Sequence, residues 1–134
     1  MHGANNRPVY LNLLQIRLPV AGIMSIVHRI TGVLMFLATP FIIYLLDLSL
    51  STPQDFARAG QLIQSGLGML VLFGVLWGLL HHLLAGIRYL LLDVHVGIDK
   101  PWYRYSAWVV LIAAPLLALV SSTATFYLLA VSKA

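Results

Sequence analysis

Three stretches of this chain contain no Asp, Glu, Lys or Arg: Ile30 to Leu46, Ala59 to Ile87 and Tyr105 to Ser132. Charge-free apolar runs of that length are the mark of helices that cross a bilayer, where about 20 residues span the hydrocarbon. The first run has only 17 residues, roughly 25 Å of helix at about 1.5 Å per residue. It must therefore extend back through His28 and Ser25, which puts both on the first turns of a spanning helix. With 60% hydrophobic and 9% charged side chains, the chain has too little polar surface for a soluble domain. The expected fold is an all-α membrane protein, one domain over residues 1–134. An interfacial arm over 1–18 precedes transmembrane helices at about 19–48, 56–92 and 104–131. Pro40 is expected to kink the first helix, because a mid-helix proline removes a hydrogen bond.

The net charge is +4, but the basic residues form no run, so nucleic acid is not an expected partner; their distribution reports topology instead. Arg7, Arg17 and Arg29 precede the first span, and Arg88, Lys100 and Arg104 flank the second connection. Arg58 and Lys133 stand on the other side. The excess puts the N-terminus and the second connection in the cytoplasm and the C-terminus in the periplasm of a bacterial inner membrane. No cysteine is present, which excludes thiolate metal sites, iron-sulfur ligation and covalent haem attachment. The N-terminus has no short apolar core with a cleavage site, so no removable signal peptide is expected.

Ionisable groups are costly in hydrocarbon and mark functional sites there. Ser25, His28 and Arg29 fall at i, i+3 and i+4, on one helix face near the positive side. In the second span Gly74, Gly78, His82 and Gly86 recur every four residues, so an imidazole stands in a stripe almost free of side-chain bulk. Small residues also serve plain helix packing, but packing needs no imidazole. His82 is the candidate axial ligand of a b-type haem; otherwise it is a membrane histidine bonded to a neighbouring helix. His81 points about 100° away around the helix. One ligand per chain is expected, with a partner subunit rather than His28 supplying the second. Arg29 and Arg88 offer guanidinium groups for haem propionates, or for lipid headgroups by snorkelling. Ser25 and Arg29 together offer two donors for a quinone carbonyl.

Arg7-Pro8-Val9, Leu13, Val20, Ser25, His28-Arg29 and Thr31 resemble the N-terminal signature of the cytochrome b556 subunits of succinate dehydrogenase. His82, Gly86-Ile87-Arg88 and Asp93 resemble that family's second signature, in its proteobacterial form. The resemblance implies a three-helix anchor forming half of a heterodimeric haem-binding bundle with a second small hydrophobic subunit. The pair would dock an iron-sulfur subunit and a flavoprotein subunit. It implies His82 as one axial ligand of a shared haem b, with His28 and Arg29 near the propionates. Ser25 and Arg29 would contact ubiquinone, the substrate, and Asp93 would assist proton delivery. Tyr89, Leu92 and His95 depart from the second signature, where histidine or phenylalanine, an aromatic or methionine, and a small residue are usual. The rival readings are a cytochrome b anchor of another quinone-linked dehydrogenase and a non-redox membrane anchor.

Overall fold

The computed structural model describes residues 16–131. Most of the N-terminal arm, including His2, Arg7 and the start of the first signature, lies outside the described residues, as does Lys133. Four helices follow in order: α1 Val20–Ser51, α2 Pro53–Gln64, α3 Gly66–Asp93 and α4 Lys100–Val131. Among the described residues there is no strand. Helices α1, α3 and α4 are each long and apolar enough to cross a membrane, so this is a multi-pass membrane protein. Helix α1 runs unbroken through Pro40, and α4 through Pro115.

The expected second span, 56–92, is two helices, because the backbone breaks at Ser65. Ser65 takes an extended conformation, with φ −65° and ψ 154°. Its hydroxyl donates to the Leu62 carbonyl at 2.7 Å and accepts from the Gly68 amide at 3.0 Å. One side chain thus closes α2 and caps α3, satisfying groups that a helix end leaves open. Gly68 is required for the break: a Cβ there would fall on the Leu62 and Ile63 carbonyl oxygens. Helix α2 starts by similar chemistry. Thr52 accepts from the Asp55 amide at 3.1 Å, Pro53 occupies the first turn, and Asp55 pairs with Arg58 at 3.1 Å. This short amphipathic helix lies between the far ends of α1 and α3, at the membrane face away from the second connection.

The interior is built from small side chains. Ala21, Ala85, Ala107, Ala114 and Ala118 are buried with Gly78, Met24 and Val110, whereas Phe36, Leu50 and Leu67 are more than 70% exposed. Hydrocarbon solvates large apolar residues as well as a core does, so association of spanning helices depends on close backbone approach. Hydroxyls in the spans are satisfied locally: Thr31 donates to the His28 carbonyl at 2.9 Å and Ser122 to that of Leu119 at 3.0 Å.

Helix α3 ends at Asp93 in a paired turn. The Val96 amide donates to the Leu91 carbonyl at 2.8 Å and the His95 amide to that of Leu92 at 3.0 Å. This closure needs a left-handed residue at position 95, normally glycine, and His95 holds it at φ 64°. The connection turns again at Gly97, φ 76°, and α4 begins at Lys100, four residues before its expected start. Pro101 sits in its first turn, where a missing N–H costs nothing. Because a side chain at φ 64° is disfavoured, His95→Gly is expected to stabilise the protein by about 0.5–1 kcal/mol. A raised thermal unfolding midpoint in detergent is the check, and a lowered one contradicts the strain argument.

Candidate functional site

Where α1 crosses α3, two imidazoles meet. The His28 and His82 rings stack with centroids 4.0 Å apart and planes 16° from parallel. The His82 Nδ1 lies 3.1 Å from the His28 carbonyl oxygen. A carbonyl can only accept, so Nδ1 carries the proton and Nε2 keeps its lone pair. That is the tautomer in which a histidine ligates a metal, with its second nitrogen bonded to a backbone carbonyl. The approach depends on Gly32, one turn after His28. A Cβ on Gly32 would come within 3.0 Å of His82 Cε1 and 3.4 Å of Nδ1.

The glycine stripe behaves differently along its length. A Cβ on Gly78 would touch the Met35 side chain at 4.0 Å, whereas one on Gly74 or Gly86 would meet nothing within 4 Å. The space on either side of the crossing is therefore open. Seven residues after His82, and so about 20° from it around the helix, Tyr89 meets the His28 ring edge-on at 5.4 Å. His28 Nε2 and the Tyr89 hydroxyl are both buried without a hydrogen-bond partner.

His81 and Arg88 occupy another face of α3. His81 is fully buried, its ring against the Met24 backbone and 6.2 Å from Trp77. Neither ring nitrogen makes a hydrogen bond of good geometry among the described residues. Arg88, 5% exposed, turns into the α3–α4 seam. Its Nε donates to Ser106 Oγ at 2.9 Å, its Nη2 to the Tyr103 carbonyl at 2.9 Å, and its guanidinium lies 4.7 Å from the Tyr103 ring centre. Arg88 follows His81 by seven residues and His82 by six, so the helix aligns it with the former. The Arg88 guanidinium, expected as a candidate for haem propionates or lipid headgroups, joins α3 to α4 in this chain.

The remaining candidates lie at the same membrane face. Ser25 is half-buried and Arg29 exposed, one turn apart on α1, and neither side chain is engaged by another among the described residues. Asp93, the last residue of α3, is exposed. Two residues that the sequence reading did not place in the site complete it: Gly32 and Tyr103. Gly32 is detectable only as the position one turn beyond His28. A cavity of about 560 Å³ lies elsewhere, lined by Phe41, Leu62, Leu67 and Val75 near the Ser65 break. It is almost wholly apolar and carries no titratable group.

Among the described residues no three His, Cys, Asp or Glu side chains gather as a metal-binding group. A porphyrin supplies four of its iron's ligands itself, so a haem asks for only an axial imidazole and space for a flat ring. His82, with its fixed tautomer and the open space at Gly74 and Gly86, meets both requirements.

A family model described as the succinate dehydrogenase/fumarate reductase transmembrane subunit matches residues 3–121. Three relatives are named succinate dehydrogenase cytochrome b556 subunit. The one from Paracoccus denitrificans is 39% identical over 94 residues, 70% of this chain and 72% of the relative. The one from Coxiella burnetii is 36% identical over 109 residues, 81% of this chain and 87% of the relative. The one from Rickettsia felis is 29% identical over 115 residues, 86% of this chain and 90% of the relative.

The α3–α4 seam gives a test that needs no ligand. A lysine at position 88 has no planar fork and cannot serve Ser106 Oγ and the Tyr103 carbonyl together. Arg88→Lys is expected to lose one charge-assisted hydrogen bond, about 1.5–3 kcal/mol, seen as a lower unfolding midpoint. An unchanged midpoint would show that the bridge adds nothing to stability.

Proposed function

The chain belongs to the succinate dehydrogenase/fumarate reductase transmembrane subunit family, and from that membership we propose that it is the cytochrome b anchor of a succinate:quinone oxidoreductase. In that assembly it contributes one axial haem b ligand, His82, and part of the quinone-reduction pocket, Ser25 and Arg29. Its soluble partners are an iron-sulfur subunit and a flavoprotein subunit, and alone it has no activity. The observation that carries the reading is the His82 Nδ1 contact with the His28 carbonyl, which leaves Nε2 free to ligate.

A haem supplies a one-electron store beside the route from the iron-sulfur subunit to ubiquinone. The chain's own residues orient the ligand ring, hold charge and exclude water. The second axial ligand is assigned to a second small anchor subunit. His28, stacked on His82 with centroids 4.0 Å apart, would not be that second ligand. His81 faces away into the helix seam.

Ser25 and Arg29 act on the quinone as a hydroxyl and a guanidinium donor, one turn apart at the membrane face. A cation in this low-dielectric setting favours the anionic forms of the ring oxygens more than it would in water. His28 and Arg29 are assigned to the propionate side of the haem, and Asp93, at the exposed end of α3, to proton supply. The orientation is N-terminus inside and C-terminus in the periplasm, in the inner membrane of a bacterium. It is supported by Arg17, Arg29, Arg88, Lys100 and Arg104 at one membrane face against Arg58 at the other.

The purified complex is expected to show reduced b-type haem bands that vanish or shift in His82→Ala. A colourless wild-type complex would sink the haem assignment. Ser25→Ala and Arg29→Leu are each expected to lower quinone reduction about 10- to 100-fold, the loss of one strong donor. Succinate oxidation by an artificial soluble acceptor should persist in both; parallel loss of the two activities counts against the quinone assignment.

A further inference from the structure

A second cavity, about 360 Å³, opens where α3 turns into α4, and its walls include Arg88, Leu91, Val96, Asp99, Trp102 and Ser106. The charged end of Arg88 reaches it, because Nε is bonded to Ser106 Oγ, itself part of the wall. This guanidinium is 5% exposed. Among the described residues it has no carboxylate partner, since the only ion pair is Arg58 with Asp55, at the other membrane face. A guanidinium carries five N–H donors, and the bonds to Ser106 and the Tyr103 carbonyl use two of them. A buried cation without a counter-charge is costly, so the cavity presents free donors and an unanswered positive charge.

The rest of the lining narrows the class of anion. Leu91, Val96 and Trp102 are exposed apolar residues beside the cation, so an occupant that covers the walls has an apolar part as well as a charge. An inorganic anion would answer the charge and leave those walls bare. The cavity lies at the membrane face that carries Arg17, Arg29, Lys100 and Arg104, and Trp102 suits the boundary between headgroups and hydrocarbon. At that depth phosphate esters stand on acyl chains, and arginine binds phosphate through two parallel hydrogen bonds. Asp99, exposed in the same wall, repels a second negative charge and can accept a hydroxyl.

We propose that this cavity is a site for an anionic phospholipid of the basic-side leaflet. Arg88 holds the phosphate, and Leu91, Val96 and Trp102 cover the glycerol backbone and the first methylenes. Asp99 accepts a headgroup hydroxyl, which favours phosphatidylglycerol over a lipid with a second negative charge. The site makes no use of the His28–His82 crossing and is independent of the haem and quinone assignments. Because Arg88 also bridges α3 to α4, an occupied site strengthens that seam, and binding to the folded state alone is read as stability.

The test uses the complex purified with its partner chains and stripped of lipid in a neutral detergent. Dioleoylphosphatidylglycerol is expected to raise the unfolding midpoint saturably, whereas dioleoylphosphatidylcholine at the same mole fraction and inorganic phosphate leave it in place. In Arg88→Gln the half-saturating mole fraction should rise at least about tenfold, the loss of one charge-assisted pair. The lower lipid-free midpoint of that variant does not enter the comparison. Val96→Trp fills the cavity from an exposed position and leaves the Arg88 bonds in place. It should abolish the rise, and it decides the matter if Arg88→Gln does not fold. An equal rise with both lipids, or a rise that persists in Val96→Trp, overturns the proposal. So does a rise with inorganic phosphate alone, which marks a free-anion site. Loss of a soluble subunit from Val96→Trp with the lipid response intact marks a protein-docking cavity and overturns it as well.

Discussion

One backbone carbonyl governs this molecule's chemistry. The oxygen of His28 accepts from the Thr31 hydroxyl at 2.9 Å and faces His82 Nδ1 at 3.1 Å. That second contact joins α1 to α3, selects the tautomer of the imidazole and sets the orientation of its ring. The arrangement exists because residue 32 is glycine, and any side chain there would press on His82. Ligand geometry is therefore a property of helix packing, not of a loop. A site fixed by two rigid helices keeps its aim better than one carried on irregular backbone.

Packing in turn depends on an inside-out distribution of bulk. Alanine and glycine line the seams and large apolar residues face outward, which lets the α3 and α4 backbones approach closely. Arg88 extends this logic into a region where a charge would otherwise be costly. Its guanidinium is spread over a hydroxyl, a carbonyl and an aromatic face, all neutral. The same guanidinium also lies 5.8 Å from the centre of the Tyr89 ring. A structural bridge and a source of positive potential are here the same side chain.

The spans were legible in the sequence because the absence of charge over Ile30–Leu46, Ala59–Ile87 and Tyr105–Ser132 is a strong physical signal. The break at Ser65 was not, since Ser65 and Gly68 fall inside the second charge-free run and hydropathy passes through a cap unchanged. Helix phase separated His82 from His81: the His81 ring lies against the Met24 backbone, whereas His82 stacks on His28 one turn further along α1. The Arg88 bridge to Ser106 and Tyr103 was not legible, because it depends on where α4 packs on α3. The His28–His82 stack was hidden for another reason: pairing between helices depends on rotation and crossing point, which one-dimensional periodicity does not contain. The departure at His95, met first only as an unusual residue, gained physical meaning from its left-handed φ.

The distribution of burial adds a last step. The most apolar window of α1 contains no buried residue, against 17% in α3 and 22% in α4. Yet α1 carries Ser25, His28 and Arg29, and its carbonyl orients His82. The uncovered window lies beyond Thr31, whereas the polar groups sit on the end of α1 where Ala21, Met24 and Thr31 are buried. Beyond Thr31, α1 presents mostly apolar side chains outward, a surface that lipid solvates as well as a second helix would. The open ends of the glycine stripe, at Gly74 and Gly86, adjoin the one place where α1 and α3 bring two imidazoles together, so packing and chemistry are decided by the same small residues.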